Sequence, residues 1–334
     1  MTRAPTRVQM ADVAREAGVA RVTVSRVINA PDSVAPKTRD AVLAAIARLG
    51  FVPNLNAGTL ASRRSRIVGA LVPTLSNAWF ADTMDGLSVR LAAAGYQLLL
   101  GQTRYSETEE ERLVDAFIGR RVDAIVLTGT QHLPAVHATL QRAGIPVIEC
   151  WDLVDAPIDT VVGFSNADAG TAVARHLIGR GCRNLGFIGA DEYRSALRLQ
   201  GFREAASAAG VQAVHAHLVT PPSGIHDGAR GLEALVHAHP AMDGVFCSND
   251  TLALGALLAA RNHGWRVPEQ IAVAGFSDLP VAAASVPALT TIRIESRALG
   301  EYAGELLARR LRGASDDAAR VHDMGFTLVV RDSA

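Results

Sequence analysis

DVAREAGVARVTVSRVIN, residues 12–29, carries two helical periodicities separated by a glycine. Apolar Val13, Ala14 and Ala17 recur at helical spacing, Gly18 and Val19 break the run, and Val24, Val27 and Ile28 restart it. The pattern predicts a short helix, a tight turn and a second helix whose outward face carries Arg21, Val22, Ser25 and Arg26. A helix of that size fits the major groove of DNA. An arginine meets the guanine edge through two parallel hydrogen bonds, a valine can touch a thymine methyl, and Thr23, Ser25 or Asn29 can reach phosphates. The same periodicity also suits two helices packed on some other surface.

Charge sharpens the choice. The chain of 334 residues is neutral as a whole, but residues 1–66 hold eleven Lys or Arg against four acids, so this head is near +7 and the remainder near −7. A basic head on an acidic body suits a polyanion gripped at one end. The length exceeds one ordinary core, so two or three domains are expected. No run approaches the roughly 18 to 20 apolar residues of a membrane span, and MTRAPTRVQM lacks the apolar core of a signal peptide, so a cytoplasmic chain without a membrane partner is expected. Cys150, Cys182 and Cys247 are odd in number and widely separated in apolar surroundings, which predicts buried free thiols rather than a disulfide framework or a zinc site.

Beyond the first two helices, Pro36 opens a third, with Val42, Ile46 and Leu49 as its inner stripe and Gly50 as its stop. FVPNLNAGTLASRRSR, residues 51–66, reads as a flexible linker or, with Asn54 as cap, as two helical turns over Leu55 to Ser62 that would not persist alone in water. From Ile67 onward, strand-like apolar runs alternate with amphipathic helices in two successive series, the second beginning at Asp159 to Gly163. Such alternation means parallel sheets covered on both faces. The fold class expected is therefore a small all-α helix-turn-helix head followed by an α/β core of two doubly wound parallel-sheet lobes, with ligands at the carboxyl ends of the strands in the crevice between them.

Residues 12–29, Val52 to Asn54, Leu60-Ala61, FCSNDTLALGAL (246–257), VAGFSD (273–278) and PALTTI (287–292) together, in order and spacing, resemble the LacI/GalR family of bacterial transcription regulators across nearly the whole chain. GYQLLL (95–100), VVGFSNADAG (161–170) and MGFTL (324–328) look most like the gluconate-utilisation repressors of that family. The resemblance implies a periplasmic-binding-protein-like core. It also implies that Arg21, Val22 and Arg26 read bases, that Thr23, Ser25 and Asn29 meet the DNA backbone, and that Asn54 to Ser62 forms a hinge helix pressing Ala57 and Leu60 into the minor groove. Paired leucines wedged at a central step would kink the duplex, the unstacking cost of a few kcal/mol being offset by wider contact. Ala20 departs from the family, which usually has a capping serine there, and a missing cap costs about 1 kcal/mol.

In the core, the resemblance places effector contacts at Asn77, Trp79, Phe80, Thr128, Asp152, Phe164, Arg198, Asn249, Ser277 and Asp278. Aromatic walls with a few charged and amide groups suit polyhydroxylated ligands. Trp79 and Phe80 suit a core equally well, and Asp250 is expected to cap the helix starting at Thr251 while Asn249 faces the crevice. Ser277 stands where many sugar-binding members carry an acid, so with one fewer carboxylate opposite Arg198 an anionic effector such as gluconate is favoured. Rival classes lack their marks. There is no G-x-G-x-x-G after a strand, no G-x-S-x-G and no H-E-x-x-H, and the sole lysine, Lys37, lies in the head, so no enzyme, cofactor or metal site is expected. His215/His217 and His237/His239 read as surface or strand positions. An extracytoplasmic sugar-binding protein would share the lobes but not the basic head.

The resulting domain plan is a head at 1–52, a hinge and linker at 53–66 and a core at 67–334. Lobe 1 takes about 67–163 and 293–323, and lobe 2 about 164–292 and 324–334. A head this small gains useful affinity when doubled across two half-sites, so a homodimer on operator DNA is expected. No leucine-rich heptad follows MGFTLVV to build tetramers.

Overall fold

The computed structural model describes residues 8–52, 64–313 and 319–334. The proposed hinge residues Asn54, Ala57 and Leu60 lie outside the described residues. The chain divides into two units, Met1–Ser65 and Arg66–Ala334.

The first unit contains α1 (Met10–Glu16), α2 (Arg21–Asn29) and α3 (Pro36–Leu49). The Asp12 carboxylate accepts a hydrogen bond from the Gln9 N–H at 2.9 Å and so starts α1. Gly18, at φ +66°, makes the turn that lets the Val19 N–H return to the Ala14 carbonyl at 3.0 Å. Val13, Ala14, Val24, Val27, Val42, Ala45 and Phe51 form the core. The inner stripe of α3 is therefore centred on Val42 and Ala45, with the expected Ile46 and Leu49 only partly covered.

The second unit carries two six-stranded sheets. Lobe 1 holds β1 (Ile67–Val72), β2 (Gln97–Gln102), β3 (Ala124–Thr128), β4 (Val147–Cys150), β5 (Thr160–Gly163) and β11 (Val321–Asp323). They lie in the order β11-β5-β4-β3-β1-β2, all parallel. Lobe 2 holds β6 (Leu185–Ala190), β7 (Val214–Val219), β8 (Gly244–Cys247), β9 (Ala272–Ser277), β10 (Thr290–Arg293) and β12 (Thr327–Val329). Their order is β12-β10-β9-β8-β6-β7, with only the β10–β12 pair antiparallel. This is the two-lobed parallel-sheet core expected from the alternation, with β10, β11 and β12 added at the edges.

Helices cover both faces of each sheet: α4 (Ala78–Ala93), α5 (Glu107–Gly119), α6 (Pro134–Ala143), α7 (Asn166–Gly179), α8 (Tyr193–Ala208), α9 (Ile225–Ala238), α10 (Asp250–His263), the short α11 (Pro280–Ala284) and α12 (Ser296–Leu311). Three pairs pack through glycines on both partners. A Cβ at Gly170 of α7 would overlap the Arg198 carbonyl of α8, and one at Gly201 of α8 would overlap Ala167 of α7. Gly228 and Gly255 do the same between α9 and α10, and Gly86 and Gly300 between α4 and α12.

The chain passes between the lobes three times, after β5 into α7, after β10 into α12, and between β11 and β12. β5 and β11 are neighbours at one edge of the first sheet, and β10 and β12 are neighbours at one edge of the second. All three passages therefore run along one side of the core.

Candidate functional site

The head presents α2. Val24 and Val27 point into its core while Arg21, Val22 and Arg26 are exposed, Val22 to 58%, and Thr23 and Ser25 are half-buried. Asn29 is the last residue of the helix. An exposed valine between two arginines on a surface helix is poorly explained by packing and suits apolar contact with a base. Ala20 occupies the cap position with extended backbone and no side-chain cap bond, as its departure from the family pattern implies.

In the core, a cleft opens at the carboxyl ends of the strands, where parallel sheets place their ligands. Lobe 1 contributes Asn77, Trp79 and Phe80 from the start of α4, Tyr105 after β2 and Trp151 after β4. Lobe 2 contributes Glu192, Arg194 and Arg198 around the start of α8, with Ser223, Ser248, Asn249 and Phe276. The aromatic wall is continuous: centroids are 5.8 Å apart from Trp79 to Phe80, 5.1 Å to Trp151, 5.7 Å to Phe164 and 6.0 Å to Phe276. Trp79 and Phe80 thus serve both readings, lining the cleft while buried in the core.

Two guanidinium groups dominate the polar side. Arg198 donates to Asn166 Oδ1 at 2.5 Å, lies 3.4 Å from Glu192 Oε1, and stacks over the Phe276 ring at 4.3 Å. Burial, followed by the like charge of Arg194 and against the pull of Glu192, brings its pKa down to about 10, so it remains a cation at neutral pH. Arg194 pairs with Glu192 at 3.1 Å. Glu192 also accepts from the Ser195 N–H at 2.7 Å and caps α8. Two donors, Arg198 Nε and Trp151 Nε1, are buried without a hydrogen-bond partner among the described residues. The cleft therefore holds two cations against one carboxylate and has donors to spare.

Several expected residues stand behind the surface. Asp152 accepts from Asn166 Nδ2 at 3.0 Å and from Thr130 at 3.1 Å, and burial raises its pKa. Because Asn166 also accepts from Arg198, Asp152 aligns that arginine through it rather than facing the cleft. Thr128 donates to the Leu71 carbonyl at 2.9 Å, and Phe164 is fully buried in the wall's second layer. Ser277 bonds the carbonyl of Phe276, and its φ of +113° turns the chain away. Asp278 pairs with Arg331 at 2.6 Å and with Arg293 at 2.7 Å, so it fastens the end of the chain and does not line the cleft.

The cap of α10 also differs from expectation. Asn249 accepts from the Leu252 N–H at 2.9 Å while donating to Ser223 at 3.0 Å, so the residue on the cleft is itself the cap. Asp250 is fully buried, accepting from the Leu279 N–H at 2.7 Å and from Thr291 at 2.6 Å. Burial pushes its pKa up to about 6. Tyr105, Trp151, Glu192, Arg194, Ser223, Ser248 and Phe276 were not foreseen. For Glu192 and Arg194 the available signal was position, immediately after β6 where that strand meets the crevice.

Residues 9–54 match the family model for bacterial regulatory proteins of the lacI family, and residues 174–334 match a periplasmic binding protein-like domain. The chain is 39% identical to the HTH-type transcriptional regulator GntR of Pseudomonas aeruginosa, over 99% of this chain and 97% of that protein. It is 32% identical to the regulator of the same name from Escherichia coli K12, over 95% and 96%. Its fold superimposes on a LacI family regulator from Silicibacter pomeroyi with a TM-score of 0.92, at 31% identity over 98% of this chain and 99% of the other. With an exposed recognition helix, a cleft between paired parallel-sheet lobes and full-length relatives of this kind, the chain is a member of the LacI family of bacterial DNA-binding transcriptional regulators.

Proposed function

We propose that this regulator represses genes for sugar-acid utilisation, acting in the cytoplasm as a homodimer on operator DNA, with gluconate or a closely related aldonate as its effector. The observation that carries the effector reading is the pairing of Arg194 and Arg198 against the single cleft carboxylate of Glu192. With a neutral sugar the second guanidinium would face no carboxylate on the cleft surface, only Asp152 behind Asn166, whereas an aldonate supplies one there and brings hydroxyls for Asn77, Asn249 and Trp151 Nε1. The aromatic wall supports the carbon chain.

On the DNA side, Arg21, Val22 and Arg26 are the base readers. Thr23, Ser25, Asn29 and Asn54 meet the backbone, and Ala57 with Leu60 is the minor-groove wedge. Ligand binds one closure state of the lobes better than the other and so couples the cleft to DNA affinity.

Isothermal titration of the full chain should show binding of gluconate and none of comparable strength for glucose, and Arg198→Ala should abolish it. A gel shift on the DNA upstream of the chain's own gene should change when gluconate is added. Failure to bind any aldonate would remove the effector reading.

A further inference from the structure

Arg194 belongs to lobe 2, yet its guanidinium reaches across the cleft. Nη1 donates to the Thr128 carbonyl of lobe 1 at 3.4 Å, and the group lies 5.6 Å from the centre of the Phe80 ring on the same lobe. Gly129 faces it so closely that a Cβ there would come within 3.0 Å of Nη1. On its other side Nη2 is paired with Glu192 of its own lobe. Asn166 also bonds across the lobes, but where the chain itself crosses. Arg194 is held to lobe 1 away from that crossing, its side chain only 9% exposed.

The two arginines are held differently. Arg198 is fixed by Asn166, Glu192 and the Phe276 face. Arg194 makes a long bond to a neutral carbonyl, close to the limit at which such a bond counts. A carboxylate is a charged acceptor, forms shorter bonds and binds a guanidinium about twice as strongly as a neutral oxygen does. We propose that Arg194 is a bolt between the lobes which a ligand carboxylate takes over from Thr128. It is then the residue that tells an acid from a neutral polyol and ties that choice to lobe closure. This rests on the reading of the cleft as a sugar-acid site and adds which residue reads the charge and how that moves the lobes.

The test uses the full chain, wild type against Arg194→Met and Arg194→Lys, with two readouts. The first is titration with gluconate and with glucitol, the same carbon chain lacking the carboxylate. Arg194→Met should weaken gluconate about tenfold or more and glucitol by less than about threefold, and Arg194→Lys should recover part of the gluconate loss. The second is the ligand-free distance between spin labels on Glu107→Cys and His226→Cys, exposed positions at the starts of α5 and α9 on opposite lobes. Arg194→Met should lengthen it. An unchanged gluconate-to-glucitol ratio, or an unchanged ligand-free distance, overturns the proposal. If the wild type binds no aldonate, the sugar-acid reading fails together with the charge-reading role, while the distance still decides whether Arg194 bolts the lobes.

Discussion

His132, in the loop between β3 and α6, is sealed from solvent with Glu110 of α5 at 2.6 Å and Glu149 of β4 at 3.5 Å, and the His137 ring packs edge-on against it at 6.0 Å. Burial alone would lower its pKa, but the two carboxylates outweigh burial and raise it to about 9. The imidazolium is thus favoured in the folded chain over the unfolded one. Its contribution to stability is complete below the ordinary histidine value of about 6.5 and fades as pH rises through about 9. Melting curves of the wild type should show a fall in Tm across that window, and His132→Gln should flatten it; parallel curves would contradict the charged pair. At this scale the sequence was legible where one short motif carried the role. The stretch RLQGF, residues 198–202, resembles the family's arginine motif and so pointed to Arg198, and Arg21, Val22 and Arg26 lay on the open side of a clear apolar stripe. Glu192 and Arg194 were signalled only by their position after β6, because nothing local in residues 191–194 announces that Arg194 meets Thr128 of lobe 1. The pairing of Asp278 with Arg331, 53 residues away, was not legible, because no local spacing announces it.

Among the elements, the glycine crossings carry the main lesson. A glycine inside a helix costs about 1 kcal/mol relative to alanine, so its presence at matching places in three helix pairs calls for a packing reason. The overlap described above supplies one: the backbones come too close for any side chain. Gly201→Ala should lower the midpoint of urea unfolding, with overpacking of about 1 to 3 kcal/mol exceeding the gain in helix propensity. Gly179→Ala, at the open end of α7, is the control and should leave the midpoint unchanged or raise it. Loss of equal size at both positions would contradict close approach as the cause. Gly170 packs on the Arg198 carbonyl itself, so this crossing also sets the depth of Arg198 in the cleft. The longer helices and buried strands could be read from their periodicity. β11 and β12, of three residues each, were too short to show one.

For the whole molecule, the alternation of strands and helices was enough to foresee two lobes, because each βα unit must cover a parallel sheet. The cleft's membership was harder to read, since it depends on which loops of one lobe face which loops of the other. Division of the chain into Met1–Ser65 and Arg66–Ala334 has a thermodynamic counterpart. A ligand of the cleft stabilises only the unit that binds it, by about 2.7 kcal/mol at a hundredfold excess over Kd. Calorimetry should therefore show two transitions, of which only the larger moves upward when gluconate is added. A shift of the smaller alone would place the ligand on the head.

The three passages along β5, β10 and β11 have a mechanical meaning. Neighbouring straps on one margin resist sliding and twisting but allow a swing, so the lobes possess one cheap degree of freedom, like a door hung on a single jamb. Travel then grows with the lever arm. The margin farthest from the jamb belongs to β2 and β7, whose loops carry Tyr105 and Ser223. A small rotation about the three passages would be magnified there into the widest sweep of the core.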